Sequence, residues 1–376
     1  MSGIDSKISE ILAAYDFSGE FAGETAINDG HINGTYAFTF LLPGGKEKKY
    51  LVQQINTGVF KDPIGLMENF VSVCEYLRNE VTANGGDPER ECLTVYPTRE
   101  GKPYYIDGEG GFWRCVNFVN NAYTVQVIDN PETFRKSALA FGKFQLMLAE
   151  YPIENLKETI PNFHNTVSRF ADFKKAVDNN LSGRADTCRD EIAFALAREK
   201  DCGRLVDMIE RGELPLRVTH NDTKLNNVMF DNETGEGICV VDLDTVMPGL
   251  SLYDFGDSIR FGASTAAEDE KNLDKVHFSL DYFKAYTEGF LAAAGRALTS
   301  NEKRNLAFAS KLMTLECGMR FLGDYLNGDT YFKTDYPEHN LVRCRTQFRL
   351  VKEMEEAMDK MNETVEKICE ELGIGI

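Results

Sequence analysis

The sequence predicts a two-lobed α+β fold, in which a small antiparallel sheet precedes a mainly helical region. Short β-rich runs separated by turn residues precede residue 120, and long segments with helical spacing follow Pro131. The segment FVNNAYTVQVIDNPE connects the two regions. We therefore expect an N-terminal lobe over residues 1–120 and a C-terminal lobe over residues 121–376. Small ligands usually bind in the cleft between two such lobes.

The elements of the N-terminal lobe are predicted from alternation and turn signals. TYAFTFLL and KKYLVQQIN are joined by the turn residues Pro43-Gly44-Gly45, which is typical of a β-hairpin. Residues 65–81 have helical spacing, because their apolar side chains recur on one face. These residues are Leu66, Phe70, Val73, Cys74 and Leu77. The runs CLTVYPT, KPYYID and GFWRCVNFV are predicted to form three more strands.

The C-terminal lobe is predicted to consist mainly of helices. One begins near Pro131, a residue type favoured in the first helical turn. Others are predicted over residues 273–295, 301–326 and 337–372. Between them, RVTHNDTKLNNVMFD and GEGICVVDLDTV are predicted to form a polar loop followed by short strands. Such an arrangement places polar side chains on a packed support.

Composition and charge exclude several classes of protein. With 41 Lys and Arg against 60 Asp and Glu, the net charge of −19 argues against a general nucleic-acid binder. No apolar run approaches the roughly 20 residues of a membrane-spanning helix. The nine cysteines form no CxxC pair, and the five histidines show no zinc-ligand spacing. We expect a cytoplasmic protein that acts on a small molecule and needs no protein partner, nucleic acid or membrane.

The segment from His220 to Asp242 carries the strongest chemical signal. Asp222 precedes Asn227 by five residues, and the run VVDLD places Asp242 20 residues after Asp222. This is the layout of a phosphoryl-transfer site. A carboxylate can accept the proton of an attacking hydroxyl. An amide and a second carboxylate are hard oxygen ligands, which suit Mg²⁺ held together with the phosphates of ATP.

Long segments around these residues resemble the aminoglycoside phosphotransferase and choline-kinase-like branch of the protein-kinase fold. They are similar, more closely, to the bacterial N-acetylhexosamine 1-kinases. The resemblance covers most of the chain, and its run after residue 240 is the most particular. The segments are GHINGTY (30–36), LVQQIN (51–56), HNDTKLNNVMFD (220–231), VVDLDTVMPGLSLYDFGDSIRFGA (240–263) and RFLGDYLNGDTYF (320–332).

This resemblance implies a two-lobed kinase-like fold and a role for each motif residue. Asp222 would be the catalytic base, and Asn227 and Asp242 would hold Mg²⁺. Asp244 would assist the metal or anchor its loop. Lys224 would lie near the transferred phosphoryl group.

A second acidic motif competes with Asp242 for the role of metal ligand. Asp254-Phe255-Gly256 spells the DFG triplet of protein kinases, but it begins 32 residues after Asp222. It also follows the Met247-Pro248-Gly249 turn, at a predicted helix start. We therefore interpret Asp254 or Asp257 as a brace for the catalytic loop and Asp242 as the metal ligand.

The nucleotide side is predicted from the glycine-containing loop and the following strand. In GHINGTY, Gly30, Asn33 and Gly34 would form the loop over the phosphates, where glycine permits close backbone approach. As a motif this is weak, and an ordinary hairpin turn is the alternative. The adenine is expected to meet the connecting backbone at Phe118, Val119 and Asn120.

One position departs from the protein-kinase pattern. A kinase places a lysine on the strand after the phosphate loop, paired with a helix glutamate. Here that strand position is Gln53, although Glu68 lies on the following helix. One interpretation is an inactive protein that only binds nucleotide. The other, favoured by the intact Asp222, Asn227 and Asp242, is a variant site in which Gln53 hydrogen-bonds a phosphate oxygen.

The acceptor is predicted from residues 320–336, which combine hydrogen-bonding side chains with aromatic rings. Composition alone fits a sugar, a choline-like cation or an aminoglycoside. The resemblance implies N-acetylglucosamine or N-acetylgalactosamine, phosphorylated at the anomeric hydroxyl. Its site would include His31, Arg320, Asp324 and Tyr331. For Arg320 the alternative is a helix salt bridge with Glu316 or Asp324. The alternative functions are a kinase for choline, an aminoglycoside or a homoserine-type compound, or a silent nucleotide-binding protein.

Overall fold

The computed structural model describes residues 3–27 and 33–376. Its first part combines two helices with six strands that form a single sheet. The helices are α1 (Gly3–Ala14) and α2 (Pro63–Ala83). The strands are β1 (Glu20–Ile27), β2 (Gly34–Leu41), β3 (Glu47–Ile55), β4 (Val95–Tyr96), β5 (Tyr105–Ile106) and β6 (Phe112–Asn117).

The first sheet is antiparallel, with the strand order β1-β2-β3-β6-β4 and β5 paired to β6. The predicted β2–β3 hairpin is confirmed, and so is α2, which begins after the cap residue Asp62. Apolar residues of α2 pack under the sheet and form one core with the upper part of the helical region. Two elements were not predicted from the sequence: α1, which packs on the opposite face of the sheet, and β1, which forms its edge strand beside β2.

The chain leaves this sheet after Asn117 and enters a second one at β7 (Ala122–Tyr123). Four helices follow: α3 (Pro131–Met147), α4 (Thr166–Asn179), α5 (Arg189–Leu196) and α6 (Glu199–Glu210). Four short strands come next: β8 (Arg217–Thr219), β9 (Val228–Asp231), β10 (Gly237–Val240) and β11 (Met247–Gly249). The change of sheet falls close to the predicted lobe division at residue 120.

The remaining chain is helical. Its helices are α7 (Ser251–Gly262), α8 (Leu280–Ala294), α9 (Ser300–Arg304), α10 (Leu306–Asn327), α11 (His339–Glu356) and α12 (Met358–Glu371). The predicted helix over 273–295 begins only at Leu280, because residues 273–275 form a separate short turn capped by Asn272. The antiparallel sheet followed by this helical region confirms the two-lobed α+β prediction.

Two small sheets position the polar loops of the C-terminal lobe. Strands β10, β9 and β7 form one sheet, and β11 pairs with β8 to form the other. The loop between β8 and β9 therefore lies beside the turn between β10 and β11. Helix α10 is buried along most of its length and packs against α4, α7 and α11. It forms the central support of the lobe.

The structure also bears on two predictions from composition. Within residues 3–27 and 33–376, no helix combines the length and apolar character needed to cross a membrane. All nine cysteines are free thiols, and all but Cys317 are buried. The buried thiols pack as small apolar side chains, as predicted.

Candidate active site

The catalytic loop (residues 220–227) is held from below by the first turn of α7. One carboxylate oxygen of Asp254 accepts the backbone N–H of His220 at 2.9 Å, and the other accepts that of Asn221 at 2.7 Å. The Thr223 hydroxyl donates to the Asp254 carbonyl at 2.5 Å. These bonds confirm Asp254 as the brace of the loop, whereas Asp257 pairs with Arg260.

Asp222 lies in this loop with its carboxylate directed to Lys224. The Lys224 Nζ and an Asp222 oxygen are 2.9 Å apart, and the Asn227 side-chain amide donates to the Asp222 carbonyl at 2.8 Å. Partial burial would raise the pKa of Asp222, but the Lys224 ammonium outweighs it and the pKa is lowered. Asp222 is therefore ionised at neutral pH, as a proton acceptor must be.

The acidic turn (residues 242–246) lies between β10 and β11 and begins with Asp242. This residue adopts a left-handed backbone with φ of 61° and exposes its carboxylate to the cleft. The His220 ring donates to the Val241 carbonyl, and the Val241 N–H donates to the Asn227 carbonyl, each at 2.9 Å. Asn227 and the residue before Asp242 are thereby fastened together, so the structure brings the two predicted metal ligands to one place.

The donors at this place fit Mg²⁺. In the part of the chain that the structure describes, neither the Asp242 carboxylate nor the Asn227 side-chain oxygen has a hydrogen-bond partner. The surrounding protein and the carboxylates of Asp244 and Asp222 raise the pKa of Asp242 to about 6. A cation placed between these oxygens would relieve that repulsion. Magnesium commonly takes only one or two protein ligands besides phosphate and water.

Asp244 has a different environment from Asp242. Its side chain is 3% exposed and forms an ion pair with Arg114, which is 1% exposed. The Asn33 side-chain amide donates to the second carboxylate oxygen at 2.6 Å. Both oxygens of Asp244 are therefore bonded to protein groups. Of the two predicted roles, assistance to the metal or an anchor, this geometry supports the anchor.

The other predicted phosphate-side residues are only partly brought together. Gln53 accepts from the Arg114 Nε at 2.9 Å and donates to the Thr35 hydroxyl at 3.2 Å. Gly34 begins β2 beside this group. Glu68 instead forms a half-exposed ion pair with Lys157 and does not contact Gln53. Gly30 and His31 lie outside the described residues.

The predicted adenine-contacting segment runs from β6 to β7. The Asn120 carbonyl accepts from Arg90 at 3.3 Å, and the Phe118 carbonyl accepts from the Asn120 side chain at 3.2 Å. No such bond occupies the backbone of Val119 within residues 33–376. Among the three predicted residues, Val119 therefore has the backbone groups best suited to a base edge.

Arg320 lies on α10 among aromatic rings. Its guanidinium carbon is 5.5 to 5.8 Å from the ring centres of Phe163, Tyr331 and Phe332. The predicted alternative, a salt bridge with Glu316 or Asp324, is not formed. None of the other described residues accepts a hydrogen bond from this guanidinium. Its donors are available to a ligand.

A turn follows α10 close to the predicted helix end at residue 326. The helix ends at Asn327, and Gly328 takes the left-handed conformation that closes many helices. The carboxylate of Asp324 accepts the backbone N–H groups of Thr330, Tyr331 and Phe332, each at 2.9 Å. Asp324 thus shapes the turn that returns Tyr331 to Arg320. The Tyr331 side chain is left 65% exposed.

His164 connects the acceptor side to the catalytic loop, and sequence reasoning missed it. Its ring nitrogens lie 2.9 Å from a Glu316 oxygen and 3.0 Å from the Asn221 carbonyl. Both partners are acceptors, so a ring that satisfies both is the doubly protonated cation. Burial opposes this charge, but Glu316 outweighs it and raises the pKa of His164. Its neighbour Phe163 contacts Arg320.

Arg114 was also missed, because no motif singles it out. The available signal was a charged residue inside the otherwise apolar strand GFWRCVNFV. A charge in a buried strand requires a partner. The strand alone could not show that this partner lies 130 residues away, at Asp244.

Comparison with known protein families finds a match, and it covers the candidate site. Residues 116–297 match the model of the phosphotransferase enzyme family. This segment contains the catalytic loop, the acidic turn and Asp254. Over this segment, slightly less than half of its length, the chain is similar to that family.

Solved structures agree on the fold. The chain is similar to aminoglycoside 2'-phosphotransferase-IIIa in complex with GDP, with TM-score 0.60, 10% identity, and 93% and 99% of the two chains covered. It is also similar to spectinomycin phosphotransferase in complex with ADP and spectinomycin, with TM-score 0.58, 13% identity, and 95% and 98% of the two chains covered. Choline kinase from Cryptosporidium parvum is similar with TM-score 0.53, 13% identity, and 92% of each chain covered.

Proposed function

We propose that this protein transfers the γ-phosphoryl group of ATP to the anomeric hydroxyl of an N-acetylhexosamine. The main support for this proposal is the environment of Arg320. Its guanidinium lacks a hydrogen-bond partner among the described residues and lies between aromatic rings near the end of α10. A sugar offers hydroxyl and acetamide oxygens to such donors and C–H surfaces to the rings. The sequence resemblance to N-acetylhexosamine 1-kinases in residues 320–332 supports the same acceptor.

The charge beside Arg320 disfavours the cationic acceptors. Arg169 also contacts the Phe163 ring, and its Nε donates to the Phe163 carbonyl at 2.9 Å. Burial and the charge of Arg320 together lower the pKa of Arg169. Two neighbouring guanidinium groups, neither in an ion pair within the described chain, would repel choline or a polycationic aminoglycoside. They can donate hydrogen bonds to a neutral sugar.

The residues of the catalytic loop would carry the proton transfer. Asp222 would accept the proton of the anomeric hydroxyl, which is more acidic than other sugar hydroxyls. Lys224 would donate to the transferred group, and Gln53 would hydrogen-bond a phosphate oxygen. Asn227 and Asp242 would hold Mg²⁺, which when bound neutralises charge on the phosphates. Positioning supplies most of the acceleration in such reactions.

The test is a product analysis over a panel of acceptors. ATP consumption is measured with N-acetylglucosamine, N-acetylgalactosamine, choline, homoserine and an aminoglycoside. We expect turnover with the two hexosamines and a product whose phosphorus couples to the anomeric proton in ³¹P NMR. The 1-O-methyl glycoside, whose anomeric oxygen is blocked, is the matched control and should not react.

Two outcomes would contradict the proposal in different ways. Turnover of choline, homoserine or an aminoglycoside in place of the hexosamines would overturn the acceptor assignment and keep the phosphotransferase class. Binding of ATP without product from any compound would favour the silent nucleotide-binding alternative. The Asp222→Asn variant serves as the blank for contaminating kinases.

A further inference from the structure

The strand position where protein kinases carry a lysine is neutral here, yet a cation lies beside it. Gln53 on β3 is paired in register with Arg114 on β6. The Arg114 Nε donates to Gln53 at 2.9 Å, so the two side chains form one unit. Arg114 is among the largest side chains that are completely buried. The N-terminal sheet therefore retains a positive charge, moved by one strand.

This cation is bonded to the acidic turn of the other lobe. Arg114 belongs to the first sheet, and its ion-pair partner Asp244 lies in the turn after β10. Asn33, just before β2, donates to the second oxygen of Asp244, and its own side-chain oxygen accepts the Asn56 N–H at 2.9 Å. The N-terminal lobe thus occupies both oxygens of one carboxylate. The carboxylate of Asp242, two residues earlier, has no hydrogen-bond partner among the residues that the structure describes.

The same guanidinium also contacts the helix beneath the sheet. Its central carbon lies 4.0 Å from the centre of the Phe70 ring on α2. In protein kinases an ion pair from the strand lysine to a helix glutamate connects these two elements. Here Glu68 is paired with Lys157 at the surface. A cation–π contact connects the sheet to α2 instead.

We propose that Arg114 is a positioning residue that replaces the absent strand lysine by acting through Asp244. It fixes the acidic turn against the N-terminal sheet, and so sets where Asp242 stands relative to the bound phosphates. Its own guanidinium does not touch the nucleotide, because its contacts are Asp244, Gln53 and Phe70. This inference rests on the proposed nucleotide site and does not depend on the acceptor.

The experiment measures binding of a non-hydrolysable ATP analogue by calorimetry, with and without Mg²⁺, in the absence of any acceptor. Arg114→Met keeps an unbranched apolar side chain and removes the charge. We expect it to weaken Mg²⁺-dependent binding at least tenfold, and binding in EDTA by less than threefold. Asp244→Asn should produce a similar loss. The double variant Arg114→Met, Asp244→Asn should bind the nucleotide no more than threefold more weakly than whichever single variant binds it less tightly. The losses should not add, because the two residues act as one unit.

Arg198→Met is the matched control. Arg198 also forms an ion pair, with Glu355, and lies over an aromatic ring, that of Phe194. It lies between α5 and α6 and its partner lies on α11, and none of these helices carries a predicted site residue. We expect its variant to lower the melting temperature and to leave nucleotide binding unchanged. If Arg114→Met lowers the melting temperature in the same way and also leaves binding unchanged, Arg114 is merely structural and the proposal fails.

Two further results would also overturn it. Losses that multiply in the double variant would mean that Arg114 contacts the phosphates itself. Arg114→Lys, which keeps the charge, and Asn33→Ala, which removes the other partner of Asp244, remain informative if Arg114→Met does not fold. Each should weaken Mg²⁺-dependent binding three- to tenfold, and normal binding by both variants would refute the role. Because no acceptor is present, failure of the hexosamine assignment leaves these results unaffected.

Discussion

The catalytic loop and the acidic turn each present one functional carboxylate, but they are held by different parts of the molecule. The catalytic loop is bonded to Asp254 on α7 and, through Asn221, to His164, all within the C-terminal lobe. The acidic turn is bonded to Arg114 and Asn33, which belong to the N-terminal lobe. The proposed proton acceptor is therefore fixed within the C-terminal lobe, and the proposed metal ligand lies in a turn that is fixed to the N-terminal lobe.

The pKa values of the two carboxylates, Asp222 and Asp242, are also shifted in opposite directions. Partial burial of Asp222 is outweighed by Lys224, so its pKa is lowered. Asp242 forms no ion pair among the described residues, and its burial together with Asp244 and Asp222 outweighs the nearby Arg114 and raises its pKa to about 6. This difference is what the proposed roles require, since an ionised carboxylate can accept a proton and an unpaired one can bind a cation that arrives with the nucleotide.

The largest expected effect separates these two carboxylates. Asp222→Asn should lower kcat by about 10²-fold or more, the range of general-base catalysis, with nucleotide affinity nearly unchanged. Asp242→Asn should weaken nucleotide binding in the presence of Mg²⁺ together with turnover. Initial rates and calorimetric titration measure the two effects. Equal losses of nucleotide affinity in both variants would contradict the division of roles.

Asp254→Asn tests the support of the catalytic loop. An amide offers one acceptor oxygen where the carboxylate receives two backbone N–H groups and the Gln145 amide. An unmade buried hydrogen bond costs about 1–3 kcal/mol, so the free energy of unfolding and kcat should both fall. Nucleotide binding with Mg²⁺ should persist. If a folded Asp254→Asn lost it while Asp242→Asn retained it, the assignment of the metal ligand would be wrong.

Arg320→Ala tests the acceptor side alone. Loss of a partner worth about 1–3 kcal/mol should raise the KM for the sugar by about 5- to 150-fold. The KM for ATP should change much less, because Arg320 lies on α10 and contacts the rings of Phe163, Tyr331 and Phe332, none of which is a predicted nucleotide-site residue. Equal changes for both substrates would indicate a folding defect. An unchanged KM for the sugar would remove Arg320 from the site.

His164, which connects Glu316 on α10 to the catalytic loop, should make the stability of the fold depend on pH. Because its folded pKa is raised above the ordinary 6.5, the charged ring stabilises the fold below about pH 6.5. That contribution disappears as the pH rises through the folded pKa. The excess unfolding free energy of the wild type over His164→Gln should therefore be larger at pH 6 than at pH 9 in urea titrations. An excess that grows with pH would show that the ring is neutral.

The smallest effect is expected at Gln53. If it hydrogen-bonds a phosphate, Gln53→Ala should raise the KM for ATP by the equivalent of about 1 kcal/mol, roughly fivefold. Steady-state rates at saturating acceptor measure it, with Thr35→Val as the control for its second contact. A loss as large as that of Arg114→Met would show that Gln53 itself replaces the missing lysine.

Much of the fold was predictable because it rests on local signals. The β2–β3 hairpin follows from alternation and the Pro43-Gly44-Gly45 turn, and the end of α10 follows from Gly328. The boundary at Leu280 was missed because residues 273–275 form a separate short turn and Phe278 is bridged to Ser264, a long-range pairing that local composition does not show. Helix α1 was not identified, since its mixed charge obscures its apolar face.

The site was predictable only where chemistry imposes residue type and spacing. Asp222, Asn227 and Asp242 follow from such spacing, and so did the interpretation of Asp254 as a brace, which the structure confirms. The roles assigned to Asp222, Asn227 and Asp242 stay predictions. Glu68 pairs with Lys157 and does not contact Gln53, because helix rotation relative to the sheet is set by packing and not by the helix sequence.

The sequence by itself determined which groups this protein can use: three oxygen-bearing side chains at fixed spacing, a neutral residue on β3, and an arginine with aromatic residues near position 320. Only the tertiary structure decided which charges meet. Arg114 finds Asp244 across 130 residues, and His164 finds Glu316 across 152. Burial makes each of these partners necessary, because an isolated charge in a dry interior is too costly to keep. The periodicity of a sequence shows which face of a helix or strand is buried, but it does not show which distant side chain will pair with a charge on that face.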